Sequence, residues 1–116
     1  VDVIDERRNI DSERALADHQ EMLRDFTNLW VAWYDENLNI IFSNKRDIIV
    51  ADTILELFRI RENIENFNKK ALYILIRERT GLKTQNITKV VNIIKRDYKK
   101  MYSVFSKTGH ILDIKR

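Results

Sequence analysis

Two amphipathic segments meet at a glycine in residues 69–102, KKALYILIRERTGLKTQNITKVVNIIKRDYKKMY. Before Gly81, apolar residues recur at the three- and four-residue spacing of one helix face: Ala71, Leu72, Leu75 and Ile76. After Gly81, the same spacing recurs at Ile87, Val90, Val91, Ile94, Tyr98, Met101 and Tyr102. The pattern predicts a helix from Lys69 to about Thr80, capped by Asn66 or Asn68. It predicts a second helix to about Tyr102, with Thr84 as its N-cap.

Residues 73–92 resemble helix-turn-helix DNA-binding proteins. Gly81 stands in the turn and Leu82 directly after it, and the family's other apolar places are held by Ile76, Ile87 and Val90. Arg77 stands where these proteins usually carry a small residue, so we expect its stem along the surface and its head in solvent. The resemblance implies two helices joined by a tight turn, the second of which enters the major groove of duplex DNA.

The second predicted helix carries polar and basic side chains suited to DNA. Gln and Asn can form paired hydrogen bonds with adenine, and Lys can reach guanine or phosphate. The basic residues towards its end would contact phosphate, which gives affinity without sequence choice. The candidate DNA-binding residues are Lys83, Thr84, Gln85, Asn86, Lys89, Asn92, Lys95, Arg96, Lys99 and Lys100. For any one of them the alternative is a solvent-facing position with no role, but together they favour DNA binding.

Charge is divided between the two parts of the chain. Residues 1–65 hold 8 Lys/Arg and 15 Asp/Glu, a net charge of −7, whereas residues 66–116 hold 13 and 3, a net of +10, and the sum is +3. Such a division indicates a polyanion partner for the basic part. We therefore divide the chain into an acidic N-terminal arm (1–11), an acidic region for core and protein contacts (12–65), and a basic helix-turn-helix region (66–116).

The acidic region is predicted to contain a β-hairpin between two helices. Ser12 is the expected N-cap of a helix to about residue 29, whose apolar stripe from Ala15 to Trp30 is a candidate dimer seam. The apolar runs 29–34 and 38–42 flank a polar turn at 35–37, which favours the hairpin. A helix that continues past Trp33 is the alternative. Asp47 is the expected N-cap of the next helix, from Ile48 to Ile60.

The aromatic residues of this region admit two roles. Trp30, Trp33 and Tyr34 could stack on bases, as in single-strand binders. Because they lie in the acidic half, we interpret them as core or partner contacts.

Residues 103–114 also admit two structures. A hairpin with Gly109 in its turn would form a wing after the second helix. Alternatively the helix continues to Phe105 and Gly109 terminates it, which the helical spacing of Tyr98, Met101, Tyr102 and Phe105 favours. The predicted fold class is therefore mainly α with a small β-hairpin, containing a helix-turn-helix, with a C-terminal wing as the alternative ending.

The sequence shows no constellation typical of an enzyme. It has no cysteine, and His19 and His110 lack partners at a metal-ligand spacing. The segment from Gly81 to Thr84 lacks the earlier glycine of a phosphate-binding loop. No apolar run approaches the ~20 residues that span a bilayer. We therefore expect no catalysis, no cofactor, no metal and no membrane contact.

The leading expectation is sequence-specific binding of double-stranded DNA by a small transcriptional regulator or DNA-binding accessory factor. Such a protein would be cytoplasmic and associated with the nucleoid. We expect a homodimer, as is common among such proteins, or a protein partner held through the acidic half. The alternatives are a protein–protein adaptor without DNA, and a DNA-binding subunit of a packaging or replication complex.

Overall fold

A computed structural model describes the backbone of residues 2–111 and the side chains of residues 13–111. Residues 2–111 form five α-helices and one 3-10 turn, and contain no strand. The elements are α1 (Asp2–Glu36), α2 (Leu38–Ile41), α3 (Lys45–Arg59), the 3-10 turn (Arg61–Asn63), α4 (Lys69–Thr80) and α5 (Thr84–Thr108). The chain is therefore mainly α, as predicted. In the described part of the chain, no helix is both long and apolar enough to cross a membrane.

The predicted β-hairpin at residues 29–42 is wrong, because α1 runs on to Glu36 and α2 follows after a break at Asn37. The break forms where the Asn37 side chain donates to the Trp33 carbonyl at 2.7 Å. Helical spacing places Phe26, Trp30 and Tyr34 on one face, and all three are fully buried. Burial of three rings on that face outweighs the strand preference of the β-branched residues that follow.

α1 also begins earlier than predicted. Its first residue is Asp2, so the helix takes in the segment assigned to an acidic arm from residue 2 onwards. Ser12, the predicted N-cap, lies inside α1. The chain has no proline and its glycines are Gly81 and Gly109, so nothing in residues 2–36 interrupts the helical backbone.

α3 is the central helix and contacts each of the other elements. The predicted helix is confirmed, but it begins three residues earlier than expected, at Lys45. Asn44 is its N-cap, and the Asn44 side chain accepts a hydrogen bond from the Arg46 backbone N–H at 2.8 Å. Asp47 was therefore wrongly predicted as the cap, and it lies in the first turn, where the helix dipole favours its charge.

One hydrophobic core joins the acidic and basic regions of the chain. The Trp30 ring packs edge-on against Tyr98, with centroids 5.0 Å apart, and against Phe58 at 5.6 Å. Phe26 packs against Tyr98 at 5.0 Å, so α1 and α5 meet through aromatic contacts. The interpretation of Trp30 and Tyr34 as core residues is confirmed.

The helices predicted on either side of Gly81 are confirmed. The Asn68 side chain caps α4 by accepting from the Ala71 backbone N–H at 2.9 Å. Gly81 has φ +67° and its N–H donates to the Arg77 carbonyl at 2.9 Å, so it ends α4 in the left-handed conformation that glycine adopts without strain. α5 begins at Thr84. The N-cap is therefore Lys83, whose backbone is still extended, and the prediction of Thr84 as the cap is wrong.

α5 continues to Thr108, which confirms the continued helix over the wing for residues 103–108. Gly109, at φ +75°, terminates it, and its N–H donates to the Phe105 carbonyl at 2.8 Å. The apolar spacing that continues to Phe105 keeps this turn on the core, where the Phe105 ring lies 5.2 Å from that of Phe26. Most of the second strand of the alternative wing, from residue 112 onwards, lies outside the described residues.

Candidate nucleic-acid interface

The apolar positions of the helix-turn-helix pattern point into the core. Ile76, Ile87 and Val90 are completely buried, and Leu82 packs against the same core from the turn. Arg77 is exposed, as expected from the sequence.

Helix-turn-helix proteins often carry an aliphatic residue at the position of Thr80. In this chain the Thr80 side chain forms hydrogen bonds within the turn. Its hydroxyl donates to the Ile76 carbonyl at 2.8 Å and accepts from the Leu82 N–H at 3.2 Å. A second bond, from the Tyr73 hydroxyl to that of Thr88 at 3.2 Å, ties α4 to α5.

The outer face of α5 presents a line of hydrogen-bonding side chains. Gln85, Asn92 and Lys99 stand seven residues apart and are all exposed. A seven-residue step turns a helix by only ~20° from a full number of turns, so the three lie nearly one above another. The amides of Gln85 and Asn92 thus occupy the middle of the exposed face.

Cations flank this line on both sides. At about 100° per residue, Lys95 falls on one side of Asn92, and Lys89, Arg96 and Lys100 fall on the other. All four are exposed. The two amides therefore lie between one lysine on one side and three cations on the other, with Lys99 in line beyond them.

The acidic residue of α5 is kept away from this face. Asp97 is only 3% exposed, and the Tyr34 hydroxyl of α1 donates to its Oδ2 at 2.9 Å. α5, described along its whole length, contains no other Asp or Glu. Asp97 still pairs with one outer-face cation, since its Oδ1 lies 3.9 Å from Nε of Arg96, but the other cations of this face have no carboxylate of their own helix beside them.

The start of α5 lies next to the turn and is open to solvent. Lys83, Thr84 and Gln85 are exposed, and Asn86 is half-buried. No side chain caps this helix, so its first N–H groups are not satisfied by a Ser, Thr, Asn or Asp at the N-cap.

Lys89 differs from the other candidate residues because it pairs with another helix. Its Nζ lies 3.1 Å from Oδ2 of Asp47 in the first turn of α3. The lysine side chain is 60% exposed, but the Asp47 side chain is only 12% exposed. Loss of the lysine would leave a largely buried carboxylate without its cation, so Lys89 supports the contact between α5 and α3 and is a weaker candidate for phosphate binding than the other lysines.

The fold adds two cations that were not among the sequence candidates. Lys69, at the start of α4, lines one pocket together with Asn92 and Lys95 of α5. Lys69 and Lys70 line a second pocket with Tyr73 and Thr88. The two adjacent lysines were visible in the sequence, but only the packing of α4 on α5 brings them beside the middle of α5.

Comparisons with protein-family models, with curated proteins and with solved structures found no match. Among the described side chains, no group of three or more His, Cys, Asp or Glu residues could hold a metal ion. The function is therefore inferred from the surface of α4 and α5.

Proposed function

We propose that this protein binds double-stranded DNA sequence-specifically, as a small helix-turn-helix transcriptional regulator or DNA-binding accessory factor. α4, the Gly81 turn and α5 are the binding unit, and α5 is the recognition helix. The observation that carries the proposal is the outer face of α5, where two amides have cations on both sides and the helix's own acid is buried.

This face matches the chemistry of a major groove. Base edges form the floor of the groove and phosphates line its two sides. Gln85 and Asn92 would hydrogen-bond adenine edges, whereas Lys95, Arg96, Lys99 and Lys100 would contact phosphates. The uncapped start of α5, beside Lys83 and Thr84, would receive a further phosphate through its free N–H groups.

The test is fluorescence anisotropy on duplex DNA of mixed sequence, at low and at physiological salt. The test variant is Lys83/Lys95/Lys99→Glu, which leaves Lys89 and its bond to Asp47 intact. The control is Arg14/Arg24/Arg59→Glu, which changes the net charge equally but lies on α1 and α3. It removes the exposed ion pairs Arg24–Glu62 and Arg59–Asp35, so circular dichroism first shows that it is folded.

We expect the test variant to lose binding at physiological salt and the control to keep it. The salt slope of log K should fall by about one for each phosphate contact removed. Equal weakening by both variants would reduce the interaction to net-charge attraction. A folded wild type that does not bind DNA would overturn the proposal.

The first part of α1 supports the expectation of a partner, and we propose a second copy of the chain. Residues 13–21 are all exposed, and Leu16 is 57% exposed. Phe26 and Trp30, which belong to the same apolar stripe, are buried within their own chain. We therefore place the proposed dimer seam on the exposed and half-buried stripe residues before Phe26, which are Ala15, Leu16, His19, Met22 and Leu23.

Sedimentation equilibrium of wild type and Leu16→Glu tests this seam. We expect a dimer for the wild type and a monomer for the variant, because a buried carboxylate would oppose association. Ile40→Glu on α2 is the control, since Ile40 is 70% exposed and lies outside the seam. A wild type that stays monomeric at all concentrations would assign the exposed stripe to a different protein, as in the adaptor alternative.

A further inference from the structure

An apolar pocket of about 410 Å³ opens between α1, α3, α4 and α5. Its most buried lining residues are Trp30, Ile54 and Ile94, which form the floor. The half-buried walls are formed by Phe58, Leu72, Val91 and Tyr98. The volume lies in the range of sites for small organic ligands, about 300–1,000 Å³.

Aromatic rings dominate one side of the pocket. Trp30 meets Tyr98 at an interplanar angle of 82° and Phe58 at 76°, so the three rings present both faces and edges. Such an array favours a flat aromatic group, which can stack on one ring and meet another edge-on.

The mouth of the pocket is basic. Lys69, Asn92 and Lys95 line it and are exposed, and no acidic residue is among its lining side chains. Neither lysine takes part in the ion pairs found among the described side chains. Lys69 is the first residue of α4, where the helix dipole also favours a negative group.

Trp30 lies beneath the surface of the pocket. Its side chain is fully buried, and its Nε1 has no hydrogen-bond partner among the described residues. The indole N–H can therefore report on the packing of the floor, but it is not open to a ligand in the pocket.

We propose that this pocket binds a small aromatic carboxylate. The ring packs on the half-buried side chains of Phe58, Leu72 and Tyr98, and the carboxylate meets Lys69 and Lys95 at the mouth. The pocket does not depend on DNA binding. Only its consequence rests on the proposed function, since a bound carboxylate would occupy Asn92 and Lys95 and so oppose DNA binding.

The first experiment follows the indole N–H signals of Trp30 and Trp33 by NMR while 6-hydroxy-2-naphthoate is added without DNA. Trp33 does not line the pocket and serves as an internal control. We expect a saturable shift of the Trp30 signal and little change at Trp33. 6-Hydroxy-2-naphthamide, which lacks the charge, should bind up to about fivefold more weakly, as expected for an ion pair open to solvent.

Two variants, with one control, test whether the probe binds in the pocket. Lys95→Gln should weaken binding by about two- to fivefold, whereas Lys99→Gln, one turn further along α5 and outside the pocket, should leave it unchanged. Val91→Phe should abolish binding by filling the space, with circular dichroism to show that the helices remain. Equal shifts at both tryptophans, equal effects of Lys95→Gln and Lys99→Gln, or no saturable binding by the wild type would overturn the proposal.

The two proposals fail separately. A shifted Trp30 signal in a protein that does not bind DNA would support the ligand pocket and contradict the proposed DNA binding. DNA binding without a response to the probe would contradict the ligand pocket alone. If both hold, the probe should lower the DNA affinity of the wild type in the anisotropy assay, and should do so less in Lys95→Gln.

Discussion

The two long helices of this protein are supported in different ways. α5, of 25 residues, buries side chains from Ile87 to Met101, so most of its length packs on the core. α1, of 35 residues, has Phe26 as the first buried residue among its described side chains. Short helices in water depend mainly on tertiary packing. The comparison teaches that α5 is held by the fold, whereas the part of α1 before Phe26 lies beyond the core.

The largest change in stability is expected when two apolar residues of α1, one buried and one exposed, are replaced by alanine. Trp30→Ala should lower the free energy of unfolding by about 3–5 kcal/mol, because it empties the centre of the aromatic cluster. Leu16→Ala should change it by no more than about 0.5 kcal/mol, because Leu16 lies on the exposed part. Urea unfolding followed by circular dichroism measures both.

The experiment must be run at a protein concentration below any dimerisation. A large loss of unfolding free energy in Leu16→Ala under those conditions would mean that the first part of α1 is stabilised by contacts within its own chain. The difference in support between α1 and α5 would then be contradicted.

The contact between the two helices offers a second, smaller test. The Tyr34 hydroxyl donates to buried Asp97 at 2.9 Å, and Tyr34→Phe should cost about 1–3 kcal/mol because a buried carboxylate loses a donor. Tyr73→Phe is the control, since the hydrogen bond from its hydroxyl to Thr88 is only partly buried and should be worth about 0.5–1.5 kcal/mol. Thermal unfolding gives both values. Equal costs would show that the α1–α5 contact is no more important than an ordinary hydrogen bond at the surface.

The glycines that end α4 and α5 give the smallest expected effects. Gly81 and Gly109 both have positive φ, and an added Cβ would meet nothing within 4 Å at either, so backbone strain alone distinguishes alanine from glycine. Gly81→Ala should cost about 1–2 kcal/mol, because the turn is fixed by packed helices on both sides.

Gly109→Ala should cost less than about 1 kcal/mol, because fraying of the last turn of α5 would loosen the half-buried Phe105 but expose none of the fully buried residues of the helix. Urea unfolding of the two variants side by side measures the difference. A larger cost at Gly109 than at Gly81 would show that the end of α5 is as firmly held as its start.

The fold around Gly81 could be predicted because local signals agree there. Apolar spacing, an Asn cap and a glycine all marked α4, and the same spacing marked α5 as far as Phe105. The exposed candidate residues followed from the same helical periodicity, since whatever is not on the apolar face faces solvent.

The region from Trp30 to Phe42 could not be predicted, because its residues suit a strand as well as a helix. The helical conformation is stabilised by residues far away in sequence. Tyr98 packs on Trp30, and Asp97 accepts a hydrogen bond from Tyr34. The basic mouth that Lys69 and Lys95 share, and the ion pair between Lys89 and Asp47, depend on the same packing. No local pattern contains that information.

The long first helix also determines how this protein moves through solution. The radius of gyration is 17.3 Å, against about 13 Å for a compact domain of this size, and the principal extents are 59 × 32 × 20 Å. An elongated particle has more friction than a sphere of equal mass, so a monomer of 14.0 kDa should elute from a sizing column ahead of globular standards of its mass. Early elution alone could therefore be mistaken for dimerisation. The mass measured by sedimentation equilibrium, which does not depend on shape, gives the number of chains in the particle.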